Sequence, residues 1–215
     1  MKAPSRVRVR RAPKNARYDR ESIHRVLDRG QIAHVSFVSD GQPYCIPTLY
    51  ARVGDEVLIH GSSASRMLRL LAAGAPACLT VTILDGWVLA RSALETSANY
   101  DSVVLLGSFR QISSDEEKLA ALKSFMDGVL PGRWEEVRPP SRQELKGTAI
   151  LALAIDEASV KTRSRPPDDD DSPDAERDTW AGVIPVSHDY GTPEPSPGLR
   201  TDVALSPSVT RLLAR

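Results

Sequence analysis

The chain has 215 residues, 41% of them hydrophobic, enough for one domain with a full core. Its 28 basic side chains are balanced by 28 acidic ones, which argues against the basic surplus of a nucleic-acid-binding domain. No apolar run has the length of a membrane span, and none follows the basic start as in a secretory leader, so a cytoplasmic protein is expected.

Lys2, Arg6, Arg8, Arg10, Arg11, Lys14 and Arg17 make residues 1–17 a basic arm, read as solvated and mobile. The main domain is expected over residues 18–163. It opens with a helix over about 20–29, capped by Asp19, with Ile23, Val26 and Leu27 on its apolar face and Gly30 at its end. The runs 32–38, 43–51 and 56–60, joined at Asp40-Gly41 and Gly54-Asp55, read as an antiparallel meander. Met67, Leu68, Leu70 and Leu71 then recur at helical spacing up to Gly74. Strand patterns resume over 76–84, 87–91 and 103–112, with Asp85-Gly86 as a hairpin turn between the first two.

Ser114 and Glu117 mark the start of a third helix, with Leu119, Leu122, Phe125 and Met126 expected to face the core. Ser141 and Glu144 mark a shorter one, followed by a buried strand over 148–155 that is expected to pair with 157–162. Residues 164–179 are rich in proline and aspartate. Asp168–Asp171 lack the spacing of a calcium loop and read as a self-repelling, solvated segment. Order is expected to return at 180–186, and Ser206-Pro207 can start a last helix within the C-terminal segment 180–215.

Six or more antiparallel strands with inserted helices, and no βαβ alternation, argue for a mainly β fold class, a barrel with peripheral α-helices, which removes exposed strand edges. Dinucleotide, Walker, zinc-protease and nucleophile-elbow motifs are absent. His24, His34, His60 and His188 lack metal-ligand spacing, and His34 reads as a satisfied barrel histidine. Cys45 and Cys78 read as small buried hydrophobes.

The segment Leu58–Arg66 runs from a strand through Gly61, Ser62, Ser63 and Ser65 into a helix. It reads either as an ordinary serine-capped turn or as a phosphate cradle in which the serines and Arg66 supply donors. The order of Pro47-Thr48-Leu49-Tyr50, Leu58-Ile59-His60-Gly61-Ser62 and Ser65-Arg66, with Asn99-Tyr100-Asp101-Ser102-Val103 and Trp180–Pro185, covers most of residues 18–186. It resembles the flavin-binding split-barrel family around pyridoxamine-phosphate oxidase, in particular its nitroimidazole-resistance-like branch.

That resemblance implies FMN held between the subunits of a homodimer, and a small-molecule substrate. Pro47, Thr48, Leu49 and Tyr50 would line the flavin ring. His60, Gly61, Ser62, Ser63, Ser65 and Arg66 would border the ribityl chain and phosphate. Asn99, Tyr100 and Ser102 would come from a later strand, and Trp180 would close over the ring. His60 and Tyr100 are the candidates for a catalytic acid or base. True pyridoxamine-phosphate oxidases resemble Ser-Arg-Lys where this chain has Ser65-Arg66-Met67, so vitamin B6 oxidation is not implied. An FMN-dependent oxidoreductase is the function expected; a non-catalytic module that carries flavin, or haem through a histidine, and a deazaflavin-dependent reductase stand as alternatives on the same barrel.

Overall fold

The computed structural model describes residues 6–214; the expected basic position Lys2 lies outside them. In chain order the strands are β1 (Ala16–Arg17), β2 (Ile32–Ser39), β3 (Gln42–Leu49), β4 (Ala51–Val53), β5 (Glu56–Ser62), β6 (Pro76–Leu89), β7 (Ser97–Ser108), β8 (Arg110–Ile112), β9 (Thr148–Ala154), β10 (Glu157–Arg163) and β11 (Gly182–Pro185). The helices are α1 (Arg20–Arg29), α2 (Arg66–Ala72), α3 (Asp115–Val129), α4 (Arg142–Gly147) and α5 (Pro207–Leu213). Every pairing is antiparallel. One sheet runs β1-β10-β7-β6-β2-β3, with β11 also on β6, and the other runs β4-β5-β9-β8.

Strand alternation explains why two sheets share one core. β2 buries Ala33, Val35 and Phe37 and turns Ile32, His34 and Val38 outward. Val57 and Ile59 of β5, with Leu151 and Leu153 of β9, meet this layer from the second sheet. Ile23, Val26 and Leu27 of α1 and Met67, Leu68 and Leu71 of α2 plug the ends. The opposite face of β5 and β9 (Leu58, Ile150, Ala152) packs a smaller core under Ala121 and Phe125 of α3. Caps fall where expected: Asp19 accepts from Ser22 N–H, Ser65 from Leu68 and Ser114 from Glu117, and Ser141 with Glu144 closes a full capping box.

Several expectations are corrected. Asp85-Gly86 is no hairpin turn: β6 runs through it as one strand, with a register irregularity between Leu84 and Gly86. The hairpin lies in the segment between β6 and β7 instead, because Asp-Gly can also serve a bulge. The run 43–51 is broken at Tyr50, where the chain leaves one sheet for the other. β9 and β10 do not pair with each other; they belong to different sheets. Leu119 is exposed, and Lys118 and Ala121 take the buried positions beside Phe125. Cys45 is exposed and Cys78 half-buried, both on the outward face. β1, β3, β4 and β8 remain sheet edges among the described residues, so closure is incomplete.

The two segments read as solvated are also anchored. Val7 is buried, and Val9 N–H donates to the Tyr18 hydroxyl at 2.9 Å, so the described part of the basic arm lies on the barrel. Asp169, at the centre of the aspartate run, is 1% exposed and accepts from Arg91 N–H (2.6 Å) and from its guanidinium (3.1 Å). A carboxylate with such a partner is better placed on the protein than repelled into solvent.

Candidate functional site

The start of α2 meets the turn-proximal half of β3. The Arg66 guanidinium lies 4.1 Å over the Tyr44 ring, and Tyr44 stacks in turn on Phe37 at 5.5 Å and 16°. Phe37 and Tyr44 are direct cross-strand partners, so the β2–β3 register itself places the platform beneath the arginine. Ser62 and Ser63 are exposed beside it, and Ser65 is half-buried as the cap. The N–H groups of Ser63, Ala64 and Ser65 are bonded to Gly147 O, Ser62 Oγ and Ser62 O. Donors facing outward are therefore side chains: the hydroxyls and Arg66. A Cβ at Gly61 would stand 3.1 Å from Leu68, so glycine lets α2 approach β5 closely.

The other expected residues divide. Pro47 and Leu49 are exposed on the outward face of β3, and Thr48 is half-buried on the inward side. Tyr50 is a buried pin whose hydroxyl donates to Leu27 O at 2.6 Å; burial, with Asp28 nearby, raises its pKa. His60 points under α3, edge-on to Phe125 at 4.4 Å between centroids. Its Nδ1 is buried without a partner, and desolvation lowers its pKa. Its side chain thus belongs to the smaller core, opposite the direction of Gly61.

Asn99, Tyr100 and Ser102 stand on β7, three strands from β3, about 14 Å away at normal spacing. Asn99 is committed: its side-chain oxygen accepts from Arg163 Nη1 (2.7 Å) and Arg165 N–H (3.1 Å). Ser102 donates to Lys161 O at 3.3 Å, and Tyr100 is half-buried. Trp180 is 64% exposed. Within one chain Arg66 therefore stands apart from the β7 residues, and Trp180 precedes β11, which pairs with the edge of β6 opposite β7.

Sequence reasoning missed two features. The Tyr44 platform carries no motif and becomes visible only through cross-strand pairing. The second is a cleft of about 620 Å³ at the other end of β3. Leu27 and Gln31 border it from the end of α1, Leu49 and Arg52 from the β3–β4 junction, and Val129 and Leu130 from the end of α3. A strap of residues 186–206 lines it with Tyr190, and α5 lines it with Leu212. Gln31 Nε2 donates to the Tyr190 hydroxyl at 3.1 Å. Beyond the strap, α5 is clamped: Ser208 N–H and Oγ both donate to Glu136, at 2.8 and 2.5 Å. Arg29 and Arg52 at the cleft are held by Asp85, Asp101 and Asp28. No cluster of metal-ligating side chains occurs among the described residues, and no helix there is long and apolar enough to cross a membrane.

Two antiparallel sheets splayed around one core, with helices plugging the ends, define a split β-barrel. The sequence model of the pyridoxamine 5'-phosphate oxidase family matches residues 19–162, and the chain belongs to that family. Among solved structures, the flavocytochrome Anf3 from Azotobacter vinelandii is 41% identical, with a TM-score of 0.92 and 98% of each chain covered. A protein from Mycobacterium smegmatis described as FAD- and haem-binding is 43% identical, with a TM-score of 0.88, over 92% of this chain and 96% of that one. A protein assigned to 5-nitroimidazole antibiotic resistance in Bacteroides thetaiotaomicron shares the fold at 18% identity and a TM-score of 0.57, over 68% of this chain and 85% of its own. No curated protein matches.

Proposed function

We propose that this chain is a cytoplasmic redox protein that binds a flavin nucleotide between the two subunits of a homodimer and acts on a small-molecule substrate. The observation carrying this reading is the Arg66 guanidinium stacked on Tyr44 beside the hydroxyls of Ser62 and Ser63. A cation held at that angle, with its N–H groups toward solvent and hydroxyl donors alongside, suits a phosphate. When bound, flavin supplies the electron and hydride chemistry. The chain supplies Arg66 for the phosphate, the edge strand β3 for the ring, and the barrel wall that excludes water. His60, under α3, is not positioned to exchange a proton at this site.

The resemblance alone implied FMN, whereas the Mycobacterium smegmatis relative is described as binding FAD. Both carry a phosphate on the ribityl chain, so Arg66 serves either. The separation of Arg66 from Asn99, Tyr100 and Trp180 supports the homodimer reading, in which a second copy would bring them across the ring. The outward face of the larger sheet exposes Ile32, Val38 and Leu49 for such a contact. Light scattering of flavin-saturated protein tests it, and a monomer would remove the shared site.

A charge-assisted hydrogen bond is worth roughly 1.5–3 kcal/mol, so Arg66→Ala weakens FMN and FAD binding about ten- to a hundredfold. Riboflavin, lacking the phosphate, binds both proteins alike. Equal FMN and FAD affinities in the two proteins would take Arg66 out of the site.

Haem is a second reading, favoured by two relatives above 40% identity, one a flavocytochrome and one described as binding FAD and haem. A haem b needs an axial side chain and an apolar enclosure, and a Soret band in the purified protein tests for it.

A further inference from the structure

Resting on the flavin reading, we propose that the cleft at the end of β3 receives the small-molecule substrate. That substrate is a neutral, largely apolar organic molecule with one hydrogen-bonding group. The cleft, at about 620 Å³, falls within the roughly 300–1,000 Å³ range of small-molecule sites. Its room comes from small residues: Gly30, Ala51 and Gly128 line it where α1, β4 and α3 converge. A Cβ at Gly128 would stand 3.1 Å from that of Ala51, so a larger pair would close the floor. Leu49, Val129 and Leu212 supply apolar walls from β3, α3 and α5.

The charges at the cleft are already paired. Arg52 donates to both carboxylate oxygens of Asp28, at 2.7 and 2.8 Å, and to Gly54 O at 2.8 Å. Arg29 donates to Asp101 at 2.6 Å and to Asp85 at 2.7 Å. A charged ligand would have to break these pairs or lose its water without a counter-charge, and both are unfavourable. No histidine, cysteine or methionine lines the cleft, so nothing there selects a transition metal. One polar pair remains open. Gln31 Nε2 donates to the Tyr190 hydroxyl at 3.1 Å, which leaves the Gln31 side-chain oxygen as an acceptor and the Tyr190 O–H as a donor. One neutral polar group satisfies this pair, and the apolar walls hold the remainder of the molecule.

Position ties the cleft to the proposed redox site. β3 carries Tyr44 in one half and ends at Leu49, a stretch of about 17 Å in an extended strand, close to the length of a flavin mononucleotide. A phosphate on Arg66 over Tyr44 and a ring laid along β3 bring the ring to Leu49, beside the cleft. The family match ends at residue 162, before Tyr190 and Leu212. The side of the cleft that these two residues complete thus lies outside the matched domain. The strap and helix that carry them are fastened, by Tyr190 on Gln31 and by α5 on Glu136.

Two probes with one aromatic skeleton test this by equilibrium dialysis against the full chain loaded with FMN. They are N-phenylnaphthylamine, which is neutral, and its sulfonate, anilinonaphthalenesulfonate. The neutral probe binds once per chain, at least tenfold tighter than the sulfonate, and shifts the visible flavin bands. Val129→Trp and Leu212→Trp, which fill the cleft from different helices, each lower its affinity at least tenfold. Gln31→Ala lowers it about threefold. A sulfonate that binds as tightly as the neutral probe overturns the neutral assignment. Unaltered binding in both tryptophan variants overturns the cleft as the site, and unshifted flavin bands overturn its substrate role. A wild type that takes up no flavin removes the flavin reading and the substrate role with it. Neutral-probe binding to that flavin-free chain, lost in the tryptophan variants, would still establish the ligand site.

Discussion

Arg66 and Tyr44 form a stacked pair, 4.1 Å from guanidinium carbon to ring centroid, joined by a long Nη1–hydroxyl contact of 3.4 Å. The hydroxyl contact is at the limit of a hydrogen bond, so orientation comes from the ring face. Tyr44→Phe keeps the ring and leaves flavin-nucleotide affinity unchanged. Tyr44→Leu removes it, and at about 0.5–1 kcal/mol for an exposed cation–π pair the affinity falls roughly two- to fivefold. Fluorescence titration of the two variants with FMN checks this; equal effects would assign the role to the hydroxyl.

Asp101 ties α1 to the larger sheet. Its buried carboxylate accepts from Arg25 at 2.5 Å and from Arg29 at 2.6 Å. Burial works against its charge, but Arg25 and Arg29 outweigh burial and hold its pKa below the usual value. Asp101→Asn takes the counter-charge from Arg25 and leaves Arg29 paired with Asp85 alone. Because both are half-exposed, the cost is moderated by solvent, to about 1.5–3 kcal/mol of stability. Urea denaturation should show a lower midpoint with an unchanged slope.

The aspartate loop depends on a single buried member. Asp169→Ala removes both bonds from Arg91 but keeps the backbone carbonyl that accepts from the Ser172 hydroxyl. Limited trypsin digestion should then cut at Arg177 faster than in wild type, while Asp170→Ala, with an exposed side chain, changes little. Equal digestion of all three would show that backbone contacts hold the loop.

The α5 clamp is acid-sensitive. The bonds from Ser208, supported by Ser206 and Arg133, hold the Glu136 carboxyl down at about 2. A lowered carboxylate pKa contributes stability above its unfolded value, near 4.5, and loses it as pH falls toward 2. Docking of α5 is therefore intact at neutral pH and released across about pH 4.5 to 2. Hydrogen exchange at residues 207–213 should rise over that window, and Glu136→Gln should show fast exchange already at pH 7.

Local chemistry in the sequence determined much of this molecule. Asp19, Ser65, Ser114 and Ser141 are short polar side chains before apolar helical runs, and each caps a helix. Period-two alternation in 32–38 sends Ala33, Val35 and Phe37 to the core, and the ordered motifs from Pro47 to Pro185 pointed to the family. Pairing was not readable, because hydrogen bonds between strands are formed by backbone that every residue shares. That is why β9 and β10, adjacent in sequence, fall in different sheets. Parity along a strand likewise sent His60 under α3 while Gly61 faces α2, although the two are neighbours in one motif. Tertiary structure alone brought Tyr44 under Arg66 across 22 residues, Asp169 onto Arg91, and the strap over the cleft. Each is a contact between segments distant in sequence, selected by how much surface and charge the whole fold can bury together.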